Sequence, residues 1–389
     1  MSMIGLNVLV IGGGIGGLAV ARALALRGAS VTLLEQAEAI TEVGAGLQIS
    51  PNGFAVLDAL GLGQDLVQNS VRANAVSLRD YRNTEVLRLD LGRLQNRDYY
   101  FTHRADLIEI LARGAREAGV RIRLLQKVDR VEPGDRPRVH TANGAVIEAD
   151  LVIGADGLHS RLRPALNGDA SPRFTGQVAW RAIVPNDANR PAEARIHMGP
   201  GRHVVSYPLR DGSALNLVAV QERDQWADEG WTHEDSPDAL RATFADFGSE
   251  VHDMLARVET VHLWGLFRHP VARHWQGGHC ALLGDAAHPT LPFLAQGACM
   301  ALEDAWALAD ELANSENTAS GLAAYQTRRA ARARRVINAA TGNAWKYHLR
   351  SAPVRFAAHT ALKLGGALAP SAMLHQFDWI YDHDETAAV

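Results

Sequence analysis

Six residues near the start of the chain, Gly12-Gly13-Gly14-Ile15-Gly16-Gly17, satisfy the pattern G-x-G-x-x-G, and their flanks restrict what the chain can become. Asn7 to Ile11 is a short apolar run of the kind that forms a parallel strand buried on both faces. Beyond the glycines, Leu18, Ala21, Leu24 and Ala25 recur at helical spacing as far as Gly28, a residue suited to stop a helix. Val31 to Leu34 reads as the next strand and ends at Glu35. Strand, glycine turn, helix and strand make a βαβ unit that presents a helix N-terminus to a pyrophosphate. Gly12 permits the tight turn, Gly14 the approach of the phosphate, and Gly17 the close packing of helix on strand. Glu35 stands where an acid accepts hydrogen bonds from ribose hydroxyls. The string alone also fits a structural turn with a surface acid; its full context points to dinucleotide binding. It does not choose between FAD and NAD.

Two later strings bear on that choice. Gly154-Ala155-Asp156-Gly157 follows the apolar run Leu151 to Ile153, and Gly284-Asp285-Ala286-Ala287-His288-Pro289 follows Cys280 to Leu283. In open α/β sheets ligands bind beyond the carboxyl ends of strands. Asp156 and Asp285 are therefore placed to hold a polyhydroxylated chain such as the ribitol of a flavin, although such turns are common singly. His288, just before Pro289, reads as structural rather than catalytic.

The rest of the chain falls into recognisable textures. Ala105 to Ala118 is a predicted helix closed by Gly119, Val120 to Leu125 a strand, and Val139 to Ile147 a hairpin turning at Asn143-Gly144. From about Arg173 to Leu266, strand-like runs at 194–198, 203–209, 215–221 and 260–266 are separated by Gly, Pro and Asp turns, which predicts an antiparallel sheet. Gly297 to Ala313 and Ala323 to Trp345 are predicted helices, and the tail from Ser351 is Ala- and Leu-rich. The expected fold is α/β: a Rossmann-like FAD-binding domain (1–70, 101–172 and 267–335) is interrupted by a mixed, largely antiparallel β substrate domain (71–100 and 173–266). A C-terminal helical segment (336–389) packs over the flavin domain or forms a homodimer contact.

Composition excludes several classes. With 389 residues, 47% of them hydrophobic and 21% charged, the chain can bury a sizeable core, and its net charge of -4 gives no general attraction to nucleic acid or anionic lipid. The arginines 328, 329, 332, 334 and 335 are expected to form a solvated helix face. Two cysteines, Cys280 and Cys299, lie far apart in sequence; a disulfide framework or metal site is not expected, and a reducing, cytoplasmic location is. No membrane span or secretory leader is expected.

Taken in order, the three glycine-and-acid motifs resemble the single-component flavoprotein aromatic hydroxylases, and the resemblance covers nearly the whole chain. Thr102-His103-Arg104-Ala105-Asp106-Leu107 is similar to a family element whose arginine, here Arg104, approaches the flavin side chain. Glu42 to Asn52, with Val43 and Gln48, looks like the loop that passes the isoalloxazine ring. Pro292-Phe293-Leu294-Ala295-Gln296-Gly297-Ala298, followed by Glu303-Asp304-Ala305, resembles salicylate hydroxylase, 3-hydroxybenzoate 6-hydroxylase and 6-hydroxynicotinate 3-monooxygenase, as does the close of the chain, 378–384. Many relatives have Gly-Gln-Gly where this chain has Ala295-Gln296-Gly297, and Phe293 and Leu294 stand where the hydroxynicotinate enzyme has a histidine. The candidate cofactor-binding residues are Gly12, Gly14, Ile15, Gly17, Glu35, Gln36, Val43, Gln48, Arg104, Val128, Asp156, Asp285, Gly297 and Ala298.

The resemblance implies hydroxylation of a small aromatic acid, with NADH or NADPH as reductant and O2 as co-substrate, through a flavin hydroperoxide. An electrophilic oxidant attacks a phenolate faster than a phenol, so a base near the substrate hydroxyl is expected. His203 and Tyr207 lie four apart on a predicted strand and share one face; the same pair lines the substrate site in the resembling enzymes. Gln296 is the third catalytic candidate, or else a capping side chain. The N-terminus of the helix from Gly297 is expected to face the flavin and favour its anionic reduced form. One G-x-G-x-x-G leaves the nicotinamide a transient site. The rival readings are a flavin oxidase or dehydrogenase that inserts no oxygen, and a catalytically silent flavin-binding regulator.

Overall fold

The computed structural model describes residues 3–40, 45–94, 98–223 and 234–387. The opening βαβ unit forms as its sequence requires. The strand Asn7–Ile11 pairs in parallel with Ser30–Leu34 on one side and Leu151–Gly154 on the other. The full sheet runs Gln276–Gly277, Cys280–Leu282, Leu151–Gly154, Asn7–Ile11, Ser30–Leu34, Arg121–Arg123, parallel except for the edge hairpin 276–282. Strands distant in sequence thus end side by side. Their carboxyl ends deliver the Gly12 turn, Gly154 to Asp156 and Gly284-Asp285 to one edge of the sheet. The helix Ile15–Leu26, buried at Leu18, Ala19, Val20, Ala21, Ala23 and Leu24, packs between the helices Arg104–Glu117 and Gly297–Asn314. Small residues let these helices approach, and the all-round burial explains its apolar sequence.

The second sheet has eight strands in the order Glu234–Asp235, Val261–Arg268, Arg173–Pro185, Ala214–Glu222, Arg202–Leu209, Glu193–Gly199, Ala75–Asp80, Glu85–Asp90. It is antiparallel except where Ala75–Asp80 joins Glu193–Gly199 in parallel. Its long strand Arg173–Pro185 is not evident from sequence pattern. Gly176 at φ +74° and a register shift between Phe174 and Val178 break the alternation that would betray it. One face is covered by the helices Pro237–Thr243 and Ser249–Ala256, through Leu240, Phe244, Phe247, Val251 and Met254 packed on Val178, Trp180, Val204, Leu215 and Leu217. The other face, with His203, Val205, Tyr207, Val218 and Val220, turns toward Leu291, Phe293 and Tyr347.

The arginine run is not a solvated face. Arg329, on the helix Thr318–Tyr347, is fully buried and binds Asp304, Glu303 and Glu385 at 2.8, 2.5 and 2.5 Å. Arg332 adds Glu303 and the Trp379 carbonyl, and Arg328 adds Asp310, Glu311 and Glu385; Arg334 and Arg335 alone of the run stay exposed. The C-terminal segment is thereby tied to the two long helices. Burial would raise the Glu303 carboxyl, but Arg329 and Arg332 outweigh it and hold it below its ordinary range; against the same burial, His288 and Arg329 hold Asp304 low, and His383 and Arg329 hold Glu385 low. Groups with depressed folded pKa values contribute stability above the ordinary carboxylate range and lose it as pH falls through that range. Unfolding followed by circular dichroism should show stability dropping as pH is lowered below about 4, with no such drop between pH 6 and 8. Arg329→Ala, which strands three buried carboxylates, should cost about 3–5 kcal/mol in a denaturant titration, against well under 1 kcal/mol for Arg334→Ala.

Candidate active site

The glycine turn is built for close approach on one side and left open on the other. Gly12 has φ +102°, and a Cβ there would collide with the Ala155 carbonyl oxygen. A Cβ on Gly17 would strike the Gly12 carbonyl oxygen. Gly14, by contrast, would meet nothing within 4 Å, so the turn packs on itself everywhere except at the position where a phosphate must pass. Both Glu35 oxygens accept backbone N–H groups, from Gly13 at 2.6 Å and Ala37 at 2.8 Å. Glu35 therefore braces the turn as well as standing at the strand end. Ile15 is buried beneath it, and Gln36 is exposed beyond it.

Asp285 lies at the next strand end. Its side chain is exposed, yet burial by surrounding protein raises its pKa while His288 and Arg104 act against that rise. Both observations hold for a carboxylate that faces a cleft instead of bulk water. Arg104, the first residue of the helix Arg104–Glu117, sits across from it, its own pKa lowered by burial and raised by Asp285. Asp156 is turned inward: Oδ2 accepts the Arg161 N–H at 2.7 Å, and Oδ1 is buried without a hydrogen bond among the described residues. His288 is structural, bound to Asp304 at 2.5 Å and stacked on Trp275.

The second sheet closes the cleft. Tyr207 packs on Phe101 with ring centroids 5.0 Å apart and lies so close to Gly46 that a Cβ there would be 2.6 Å from its ring. Asn216, the cross-strand partner of Tyr207, accepts the Gly46 N–H at 2.7 Å through Oδ1, while its buried Nδ2 makes no hydrogen bond among the described residues. The loop expected to pass the flavin ring thus docks directly on the eight-stranded sheet; Val43 lies outside the described residues. Arg181 shares this face, over the Trp264 ring at 4.4 Å, with its pKa lowered by burial to about 10 and coupled to Tyr207 and Arg104. His203, four residues before Tyr207, is 2% exposed between Phe293 and Tyr347. Burial pushes its pKa well below the ordinary value, and His348 adds to the effect.

These features fit FAD. Gly14 opens a phosphate path, Asp285 and Arg104 face the same cleft, and Gly46 brings a loop edge-on to Tyr207. The FAD binding domain family matches residues 5–340. The chain belongs to this family of flavoprotein aromatic hydroxylases. It is 34% identical over 391 residues to the 3-amino-4-hydroxybenzoate 2-monooxygenase of Streptomyces platensis, covering 96% of this chain and 95% of that one. It is 35% identical over 349 residues to the 3-hydroxybenzoate 6-hydroxylase of Klebsiella oxytoca, covering 85% and 86%. Among solved structures, Klebsiella pneumoniae HpxO complexed with FAD and uric acid superposes with a TM-score of 0.85 at 26% identity, covering 96% and 97%. A salicylate hydroxylase substrate complex does so at 0.82, also with 26% identity, covering 98% and 96%. The chain is an FAD-dependent monooxygenase with the mixed α/β fold of these enzymes.

Within the hydroxylase fold the sequence candidates divide. Gly12, Gly14, Gly17, Glu35, Arg104 and Asp285 gather at the sheet edge. Val128 is buried in the main core, and Gln48 Oε1 accepts the Tyr99 hydroxyl at 2.8 Å. Gln296 is neither free nor a cap: its amide donates to Ser50 at 2.8 Å and accepts from Asn52 at 3.0 Å. Gly297 and Ala298 open the helix Gly297–Asn314. Just before them, Ala295 holds φ +53°, a left-handed conformation that suits the glycine many relatives carry there. Sequence reasoning missed Arg181 and Asn216, whose strands it read too short or not at all; their cross-strand alignment with Tyr207 is the signal that reveals them.

Gly14→Val should leave the fold intact, since its side chain enters open space, yet remove FAD; a yellow, FAD-replete variant would contradict the assignment. Asp285→Ala should weaken FAD binding by about 1–3 kcal/mol, read from the dissociation constant by flavin fluorescence.

Proposed function

We propose that the chain hydroxylates a small phenolic aromatic acid, with NADH or NADPH as reductant and O2 as co-substrate, and that it works in the cytoplasm. The observation that carries the reading is the sheet face opposite the flavin cleft, where a buried neutral histidine, a tyrosine and an arginine line one wall. Arg181 is suited to a substrate carboxylate, as a buried guanidinium on the same wall. Tyr207 and the unsatisfied Nδ2 of Asn216 are suited to orient the ring. His203, kept neutral by burial, is suited to accept the phenolic proton and so raise the electron density of the carbon to be attacked. FAD, when bound, takes the reducing equivalents and supplies the oxygen-activating chemistry. Phe293, Leu291, Val218 and Val220 keep water from the reacting face.

The relatives support the substrate class, since those compared act by name on amino-hydroxybenzoate and 3-hydroxybenzoate. A single dinucleotide motif supports a transient nicotinamide site, and two buried free thiols, Cys280 and Cys299, support a reducing compartment. Among the described residues no helix is long and apolar enough to cross a membrane. The deciding experiment is NAD(P)H oxidation in the presence of 3-amino-4-hydroxybenzoate, 3-hydroxybenzoate and salicylate, with ¹⁸O₂ incorporation read by mass spectrometry. Stimulated oxidation without label in any product would reject hydroxylation in favour of an oxidase.

His203→Ala should slow hydroxylation by roughly 10²–10⁴-fold while FAD stays bound, and the remaining NAD(P)H oxidation should release hydrogen peroxide. Tyr207→Phe should mainly raise the substrate KM. Product formed per NAD(P)H consumed distinguishes these outcomes; a fully coupled His203→Ala enzyme at normal rate would remove that residue from the reaction.

A further inference from the structure

A proton taken up by His203 has to leave a buried site, and the described residues include a hydrogen-bonded route out. His203 Nδ1 lies 2.6 Å from His348 Nε2. His348 Nδ1 lies 3.0 Å from Glu222 Oε1. Glu222 Oε2 in turn receives Arg350 through Nη2 at 2.7 Å and Nε at 3.0 Å. Exposure rises along this line: His348 is 1% exposed, the Glu222 side chain 30% and that of Arg350 70%. The chain therefore begins in the buried wall of the candidate active site and ends at solvent. It uses residues from three parts of the sequence: the strand Arg202–Leu209, the strand Ala214–Glu222, and the segment after the helix Thr318–Tyr347.

Hydrogen bonding fixes the tautomers. Glu222, a carboxylate held by Arg350, can only accept, so His348 Nδ1 carries a proton and donates it. His348 Nε2 is then the bare nitrogen and accepts from His203 Nδ1–H. His203 Nε2 is left with its lone pair, and it makes no hydrogen bond among the described residues. The turn at Gly201 locks the arrangement. Its N–H donates to the His348 carbonyl at 3.1 Å, and its carbonyl accepts the Glu222 N–H at 2.9 Å. A Cβ on Gly201, which has φ +67°, would stand 3.1 Å from Arg350 Nη2 and 3.3 Å from Glu222 Oε2. Glycine is needed there for both the backbone conformation and the room.

We propose that His348 and Glu222 form a proton relay that carries the substrate's phenolic proton from His203 to solvent. The inference rests on the hydroxylase reading above. The phenol O–H bond breaks, its electron pair stays on oxygen, and the proton bonds to His203 Nε2. The Nδ1 proton of His203 passes to His348 Nε2, and the Nδ1 proton of His348 passes to Glu222, which exchanges it with water. Each histidine ends neutral with its proton on the other nitrogen, and ring rotation or reverse exchange after turnover resets it. Two histidines 2.6 Å apart in a dry pocket cannot both hold a charge. Burial keeps His348 below its ordinary pKa against the pull of Glu222, which favours passing the proton on over storing it. The other groups facing this pair do not compete for the proton. Tyr347 is raised by burial to about 12, Tyr207 is raised further, and Arg181 remains a cation on the same wall.

His348 and Glu222 act through His203, so the test must read proton movement and not activity alone. The probe is 4-hydroxy-3-nitrobenzoate, whose phenolate absorbs at distinctly longer wavelength than its phenol. Mixed with oxidised FAD-loaded enzyme at a pH below the probe's own pKa, it reports its ionisation by stopped-flow absorbance. A pH indicator in weak buffer reports the proton released. Glu222→Gln and His348→Gln should each slow both signals by roughly 10²-fold, the lower end of the span for positioned acid–base groups, with probe affinity changed by less than about threefold. Glu222→Asp should recover most of the rate, and imidazole should restore His348→Ala. Wild-type rates in Glu222→Gln and His348→Gln would overturn the relay while leaving His203 as base. A wild-type holoenzyme that binds the probe without the shift to the phenolate band would overturn the base assignment and the relay together. Glu222→Gln lies at the solvent end, so it serves should His348→Gln fail to fold.

Discussion

One buried guanidinium, that of Arg329, ties together the segments that stand behind the cleft. Arg329 binds three carboxylates from two segments: Glu303 and Asp304 on the helix Gly297–Asn314, and Glu385 in the tail. Asp304 also accepts the Gly284 N–H at 3.1 Å and holds His288, so the strand end that carries Asp285 is fixed from behind. Glu303 accepts the Asn52 amide at 2.6 Å, and Asn52 and Ser50 hold Gln296. The loop beside the flavin cleft, the start of the long helix and the C-terminal tail therefore share one network. Such a network adds little net stability over apolar packing, because desolvating the charges opposes their attraction. What it contributes is uniqueness: each buried carboxylate is acceptable only where it meets the cations that neutralise it.

The fold divides its labour along the cleft. The parallel sheet contributes ends of strands, where backbone N–H groups and Asp285 are presented in fixed positions, and Arg104 faces them from the start of its helix. The eight-stranded sheet contributes a face, where alternation sets His203, Val205 and Tyr207 on one side and Val204 and Ser206 on the other. Gly46 lets the two meet, since any side chain there would push the flavin loop off Tyr207 and Asn216. A cofactor held at the edge of the first sheet would lie against the wall made by the second. This is the arrangement an oxygen-inserting flavoenzyme needs to keep water from its reacting atoms.

Much of this was legible in the sequence because it is local. The glycine turn, Glu35 and the buried strands are set by backbone conformation and period, which neighbouring residues dictate. The His203 and Tyr207 pairing follows from the two-residue repeat of a strand. The long strand Arg173–Pro185 was not legible, because its bulge at Gly176 interrupts the pattern that marks a strand. The buried arginines were not legible either. Arg328, Arg329 and Arg332 look like surface charge until the acids that neutralise them, more than a dozen residues away for the nearest and over fifty for Glu385, are brought alongside.

By itself the sequence determined the glycine turn in its strand–helix–strand frame, the buried strands around 7–11 and 151–154, and which face of the eight-stranded sheet carries the candidate base. Those properties depend on φ/ψ preference and on side-chain periodicity, both short-range. Only the tertiary structure decided that Gln296 is bound within a polar network, that Arg181 and Asn216 stand beside Tyr207, and that His203 touches His348 and through it Glu222. These contacts join residues far apart in the chain, and no periodicity relates them. They exist because packing two sheets and a C-terminal segment around one cleft leaves buried polar atoms that have to find partners there or go without.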